Sequence, residues 1–300
     1  MKAIVYEEYG SPDVLRFAEF EEPHAGPGQV RIRVRAAAVN PVDHKIRGGW
    51  VPFLGPSSFP AVPGIEAAGV VDEVGEGVTG VSVGDDVLGW TETGAYAPYA
   101  LLNSFAAKPA GLDWETAAAL PVASETASEV LDLLGLAEGE TLLLHGAAGA
   151  VGSLAVQLAV ARGVTVVGTA SPGNHDHLRA LGALPVAYGE GLADQVRAVA
   201  PQGVDAVFDA AGSGDLPVLI ELRGTTDRIV TIADPQAAEH GVTFHAGGTH
   251  PAGTLAEHAR LAAEGRLRIR VAESRPLADA VQVHERSEAG HVPGKLILVP

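Results

Sequence analysis

The first hundred positions read as short extended segments broken by glycine and proline. At 29–36, Val30, Ile32 and Val34 alternate with Arg31, Arg33 and Arg35, the period of two that marks a half-buried strand. Positions 69–75, followed by Gly77 and Val78, predict a second strand with a turn. Positions 81–88, running through Gly84, Asp85 and Asp86, predict a third. This part of the chain is expected to be an all-β, barrel-like unit.

The texture changes near Asp113, which precedes Trp114-Glu115-Thr116 and an alanine-rich run. Asp113 is a candidate N-cap for a helix that continues in pieces to Leu134. From Thr141 the pattern alternates. Strands are predicted at 141–145, 164–168, 186–188, 204–209 and 228–232, with helices at 150–162, 176–181, 192–200 and 216–222 between them. Such alternation predicts a doubly wound parallel sheet. A strand at 242–245, a helix at 254–264 and a last strand at 295–299 complete the reading, which contains no repeat, low-complexity segment or long linker.

Composition narrows the function. With 300 residues, 47% of them hydrophobic, the chain can build two domains. A net charge of -17 repels phosphate backbones, so no nucleic-acid partner is expected. Cysteine is absent, which removes disulfides and thiolate metal sites and fits a cytoplasmic location. Met1-Lys2 runs into a strand-like segment with no apolar leader. The apolar stretch 142–161 has the length of a membrane span. His145, Gly146, Gly149, Gly152 and Gln157 interrupt it, and a strand–turn–helix accounts for it better, so no membrane partner is expected.

That stretch holds the most informative motif, His145-Gly146-Ala147-Ala148-Gly149-Ala150-Val151-Gly152, between a buried strand and a helix. Gly149 would let a diphosphate approach the backbone, Gly152 would let helix and strand pack closely, and the helix N-terminus offers free N–H groups. The first glycine of the usual dinucleotide fingerprint is Ala147 here. The next strand ends at Thr169-Ala170-Ser171, where an NAD site usually carries an acid. Ser171 leaves room for a 2′-phosphate, and equally suits a cap for the next helix.

Several segments now carry a resemblance. Asn40-Pro41-Val42-Asp43, the run 63–69 (Pro-Gly-Ile-Glu-Ala-Ala-Gly), Val83-Gly84-Asp85-Asp86-Val87, Pro109-Ala110-Gly111-Leu112, Ala118-Ala119-Leu120-Pro121, the 146–152 turn, the run 203–209 and Gly294-Lys295 occur together. In this set and order the chain resembles the medium-chain dehydrogenase/reductase superfamily, in its zinc-independent quinone and enone reductase (zeta-crystallin-like) branch. The resemblance implies a GroES-like, partly open β-barrel catalytic domain from 1–115 and 255–300. It also implies a doubly wound Rossmann NADP(H)-binding domain from 116–254.

It further implies hydride transfer from NADPH to a quinone or an α,β-unsaturated carbonyl. Zinc-dependent relatives place metal ligands where this chain has Asn40 and Ile65, the latter beside Glu66, and those side chains do not make a tetrahedral zinc site. No metal residue is predicted. His175 and His177 lie two apart near a helix start and read as solvated rather than as ligands.

Catalytic candidates are Asn40, Asp43 and Lys45. Lys45, at a position where enone reductases carry lysine beside the nicotinamide ribose, either orients the cofactor, donates to the substrate oxygen, or is a solvated lysine. Asn40 and Asp43 line the site or cap a helix. Cofactor candidates are Lys45, Thr126, Ala148, Gly149, Ala150, Val151, Ser171, Asn174, Tyr188, Ala211, Ile232 and Ala233. Tyr188 either packs by the adenine or is an edge-strand aromatic in the core.

Three departures stand out. Gly173-Asn174 lacks the cation that relatives aim at the 2′-phosphate, leaving His175 or Arg179 as substitutes. Glu125 and Ser128 replace apolar and aromatic residues. His250, in Thr249-His250-Pro251, is either a proton donor or a loop-surface residue. A homodimer joined through the 242–245 strand is expected, against a monomer whose edge is shielded by the 247–253 loop. A non-catalytic NADPH-binding redox sensor or structural protein of the same fold is the alternative function.

Overall fold

In the computed structural model, residues 1–300 are described except Pro52, Phe53, Ser57, Thr249 and His250. Two compact units form, one from Met1–Val122 with His250–Pro300 and one from Ala123–Thr249.

The first unit contains β1 (Lys2–Val5), β2 (Arg16–Glu19), β3 (Val30–Val39), α1 (Pro41–Arg47), β4 (Glu66–Val74), β5 (Asp86–Thr91), β6 (Tyr99–Ala107) and the start of α2 (Trp114–Leu134). Six strands form a sheet in which β3 pairs with both β4 and β6, so that β3, β4, β5 and β6 curl into a barrel. The arginine/aliphatic alternation of β3 does what its period demands: Val30, Ile32 and Val34 are buried. Past Arg35 both faces are covered. Ala37 joins the barrel interior with Val71, Leu102 and Leu298. Ala36 and Ala38 join a second core with Leu88, Ile297 and Ala117 to Leu120 of α2. Alanines are the residues small enough for that crowded end.

The third predicted strand begins late. Positions 81–85 form a turn, in which Gly84 takes φ +100 and Ser82 donates its N–H to Asp85 at 2.8 Å, and the strand runs only from Asp86. Asp113 caps α2, accepting the Thr116 N–H at 2.7 Å. The helix then runs unbroken for 21 residues through Pro121, where fragments were predicted. A proline there removes one helical bond and crowds the preceding turn. The neighbouring Val122 N–H goes instead to Oε2 of Glu66 at 2.8 Å.

The second unit contains β7 (Thr141–His145), α3 (Ala150–Ala161), β8 (Thr165–Thr169), α4 (His175–Ala180), β9 (Leu184–Val186), α5 (Leu192–Val199), β10 (Ala206–Asp209), α6 (Leu216–Arg223), β11 (Ile229–Thr231) and β12 (Thr243–Phe244). The sheet order is β12-β11-β10-β7-β8-β9, all parallel. Chain order reverses between β7 and β10, the switch point where doubly wound sheets leave a crevice at the strand carboxyl ends. The strand predicted at 186–188 lies two residues earlier, and Tyr188 stands outside it, 46% exposed. The edge-core alternative for Tyr188 is thereby excluded.

The chain returns to the first unit through α7 (Ala252–Ala263), β13 (Val271–Pro276), α8 (Ala280–Glu288) and β14 (Lys295–Val299), which pairs with β3. The apolar stretch 142–161 is β7, a turn and α3, and no helix among the described residues is long and apolar enough to cross a membrane.

Candidate active site and dinucleotide cradle

In the first unit Asn40 ends β3 and caps α1. Its N–H donates to Oδ2 of Asp43 at 2.7 Å, closing the first turn. Its side-chain Nδ2 donates to Oε1 of Glu66 at 2.8 Å. Nζ of Lys295, at the start of β14, reaches both Asn40 Oδ1 and Glu66 Oε1. All three side chains are buried. Both polar ends of Asn40 are thus committed within the protein, and a lysine ammonium already balances Glu66. An amide, the alkyl chain of Ile65 and a carboxylate held by an ammonium do not fit zinc.

Asp43 anchors a second chain of bonds. Arg47 donates Nη1–H to Nδ1 of His284 at 2.9 Å, and Arg47 cannot act as an acceptor. His284 therefore donates through Nε2 to the Tyr96 hydroxyl at 3.4 Å, which donates to Asp43 Oδ2 at 3.2 Å. Among the described residues Oδ2 collects every donor, and the buried Oδ1 has none. Burial pushes the Asp43 carboxyl up to about 7, against the Asn40 N–H that favours its ionised form. Burial, then the Arg47 charge, holds His284 down to about 3. Asp43, Tyr6, Ile46, Val62, Ile65 and Thr91 contribute to the lining of a cavity of about 270 Å³ in this unit. Lys45, further along α1, is half-buried, and burial lowers its ammonium below the usual lysine range.

In the second unit the glycine motif is a tight turn from β7 into α3. Gly146 takes φ +82. A Cβ on Gly152 would lie 2.4 Å from the Gly146 carbonyl oxygen, so only glycine lets α3 start against the turn. The nearest atom to a Cβ on Gly149 lies 3.5 Å away, which leaves its outer side open. Ala148, Gly149, Ala150 and Val151 are all half-buried around that opening, where the first N–H groups of a helix have no partner within it. These residues fit a diphosphate.

At the end of β8, Ser171 accepts from Asn174 Nδ2 at 3.0 Å, so these two predicted residues meet. His175 Nε2 lies 3.2 Å from the Ala170 carbonyl and His177 Nε2 lies 3.3 Å from Ser153 Oγ. The expectation that both are simply solvated is corrected. Arg179 pairs with Asp176 at 2.6 Å on the exposed face. After β10, Asp209 accepts the N–H groups of Ala211 and Gly212 at 3.0 and 3.1 Å, and the Thr231 hydroxyl at 2.7 Å. That buried carboxylate binds the Ala211 loop to the turn carrying Ile232 and Ala233. Thr126 is half-buried on α2. His250 lies outside the described residues.

Sequence reasoning missed two participants. In the sequence Lys295 stands out only as part of Gly294-Lys295 and as the start of the last strand; the signal is a cation opening an otherwise apolar strand. His145 opens the glycine motif in the sequence, but nothing local assigns its side chain a role there.

A barrel built on β3 and a doubly wound sheet with a glycine turn at its switch point define the GroES-like-plus-Rossmann class of dehydrogenases and reductases. The chain matches the alcohol dehydrogenase GroES-like domain over residues 26–109 and the zinc-binding dehydrogenase family over 181–298. It is 37% identical over 246 residues to 2-methylene-furan-3-one reductase of Solanum lycopersicum, covering 77% of this chain and 62% of that one. It is 38% identical over 239 residues to the chloroplastic NADPH-dependent alkenal/one oxidoreductase of Arabidopsis thaliana, covering 75% and 61%. The solved quinone oxidoreductase of Coxiella burnetii superposes with a TM-score of 0.87 at 32% identity, over 100% of this chain and 99% of that one. This protein belongs to the medium-chain dehydrogenase/reductase superfamily, in its quinone and enone oxidoreductase family. The chain spans about three fifths of the length of the two plant relatives.

Proposed function

We propose that this protein transfers hydride from NADPH to a quinone or an α,β-unsaturated carbonyl without zinc. The observation that carries the reading is the combination, in one chain, of an open diphosphate turn at Gly146–Gly152 with a metal position closed by Asn40, Glu66 and Lys295. The names of the plant relatives, a furanone reductase and an NADPH-dependent alkenal/one oxidoreductase, support it.

Bound NADPH supplies the hydride, and the protein supplies position and charge. The absence of a Lewis acid favours a substrate that takes hydride through conjugation, which moves negative charge onto its oxygen. Lys45 carries the cation we assign to that oxygen or to the cofactor ribose, and Asn40 and Asp43 shape the wall behind it. Ala148, Gly149, Ala150 and Val151 hold the diphosphate by backbone N–H groups. Ser171 and Asn174 receive the 2′-phosphate, and Tyr188 packs by the adenine. Thr126, Ala211, Ile232 and Ala233 meet the nicotinamide end. In this reading residues 1–115 and 255–300 serve the substrate, residues 116–254 serve the cofactor, and the protein works as a cytoplasmic homodimer.

Loss of NADPH absorbance against a panel of quinones and enones tests the proposal. Turnover that persists in a chelator is expected. Tight NADPH binding with no turnover on any panel member would favour the sensor or structural alternative.

A further inference from the structure

His145 is almost fully buried at the carboxyl end of β7, beside the cradle, and the hydride chemistry has no use for it. Its ring has a partner at each nitrogen. Nδ1 lies 2.9 Å from the Thr169 hydroxyl, and Nε2 lies 2.9 Å from Oδ2 of Asp215 and 3.1 Å from Ser213 Oγ. The Thr169 oxygen also accepts the Gly146 N–H at 3.0 Å.

One assignment of donors and acceptors satisfies all of these contacts. The Thr169 oxygen accepts the Gly146 N–H, and among the described residues Nδ1 is the one acceptor that its own proton meets. Nδ1 is then a bare acceptor. A carboxylate can only accept, so Nε2 carries the proton and gives it to Asp215. Both contacts are met by the tautomer with hydrogen on Nε2 and none on Nδ1. Asp215 stands at the N-cap position of α6, Thr169 ends β8 and His145 ends β7. One imidazole therefore ties together three loops at the carboxyl edge of the sheet.

We propose that His145 is a positioning residue for the diphosphate of the dinucleotide. It holds the Thr169 oxygen toward the Gly146 N–H, which fixes the turn opening α3, and through Asp215 it links that turn to the loop after β10. The inference rests on the reading that NADPH binds at this turn. It adds a residue that never touches the cofactor.

The test compares three substitutions in the full chain. In His145→Asn a side-chain carbonyl oxygen takes the place of Nδ1, one bond from Cγ, and still accepts from Thr169. In His145→Gln the amide reaches toward Asp215 and leaves Thr169 without an acceptor. His145→Leu removes both contacts. Binding is read by NADPH fluorescence and, separately, with adenosine 2′-monophosphate, which has the adenine end but no diphosphate. His145→Gln and His145→Leu should each weaken NADPH about tenfold, the effect of one lost buried hydrogen bond. His145→Asn should stay within about twofold, and adenosine 2′-monophosphate should bind all four proteins alike. Imidazole nitrogen spectra of the unsubstituted protein should show Nδ1 without hydrogen.

A parallel loss of both ligands would reduce His145 to general structural support and overturn the proposal. So would His145→Asn binding as poorly as His145→Leu, or a proton found on Nδ1. If the unsubstituted protein bound adenosine 2′-monophosphate but not NADPH, or neither, the cofactor reading would fail first and the proposal with it.

Discussion

Lys295 and Glu66 form an ion pair with both side chains out of solvent, 3% and 0% exposed. The carboxylate also holds the Asn40 amide and the Val122 N–H, so the pair joins β14, β3, β4 and α2 in one polar knot. Removing one member of a buried pair strands the other charge, at a cost of roughly 3–5 kcal/mol. Lys295→Met should lower the urea midpoint steeply. Adding Glu66→Gln to it should recover most of the loss, because a neutral amide still accepts the Val122 N–H. A double substitution no more stable than Lys295→Met alone would show that the charge is not what matters.

Asp43 gives stability a pH dependence. Its carboxyl sits at about 7 in the folded chain against 3.8 in an exposed one. A group raised by folding contributes stability that is fully present below the lower value and is lost as pH rises through the upper one. Tyr6, Tyr96, Arg47, Glu66 and Lys295 surround it, and burial outweighs them all. Asp43→Asn should therefore gain stability relative to the unsubstituted protein as pH moves from 5 to 8. Denaturation midpoints of the two proteins at pH 5, 6.5 and 8 measure this, and a constant difference across the series would show that Asp43 is ionised throughout.

Lys45→Ala separates two roles. If the ammonium serves the developing oxygen charge, turnover with a good enone should fall at least about tenfold while NADPH affinity changes by less than about threefold. Single-turnover hydride transfer is the direct measurement. An unchanged rate would return Lys45 to the solvent-exposed alternative.

Ser171→Asp should turn a preference for NADPH into one for NADH. The new carboxylate would repel a 2′-phosphate and accept from a 2′-hydroxyl. The unsubstituted preference should be modest, since Gly173 and Asn174 offer no cation and Arg179 is engaged with Asp176. Titration with both dinucleotides decides it, and tighter NADH binding before substitution would reject the assignment.

What the sequence disclosed depended on whether a feature was local. The alternation in β3, the glycines of the cradle and the Asp113 cap each depend on neighbours within a few positions, and each was legible. Gly152 is a direct case, since its missing Cβ is required by the Gly146 carbonyl six residues earlier. Lys295 and Glu66 are separated by 229 positions, and no local pattern pairs them. The sequence predicts β5 too early because Val81 and Val83 imitate a strand, while Gly84 and the Asp85 side chain make a turn there. Helix α2 is expected in pieces, yet it runs unbroken through Pro121, because Glu66, which accepts the Val122 N–H, comes from a distant strand.

The edge of the Rossmann sheet carries the last prediction. Among the described residues β12 pairs only with β11, and Thr243 and Phe244 are both exposed, Phe244 at 46%. A bare apolar edge is an aggregation hazard that a two-fold mate can cover. The bonding pattern says which residue faces such a mate. His245 gives its N–H to the Thr231 carbonyl at 2.9 Å, toward β11. Backbone N–H groups alternate sides along a strand, so Thr243 also points inward and Phe244 points its N–H outward. Phe244→Pro should therefore remove a donor from the outer edge while keeping the β11 pairing, and should yield a monomer by light scattering at micromolar concentration. Thr243→Pro should instead damage the sheet and lower thermal stability. A dimer that survives Phe244→Pro would move the interface to another surface, and a monomer before substitution would leave the edge to the 247–253 loop.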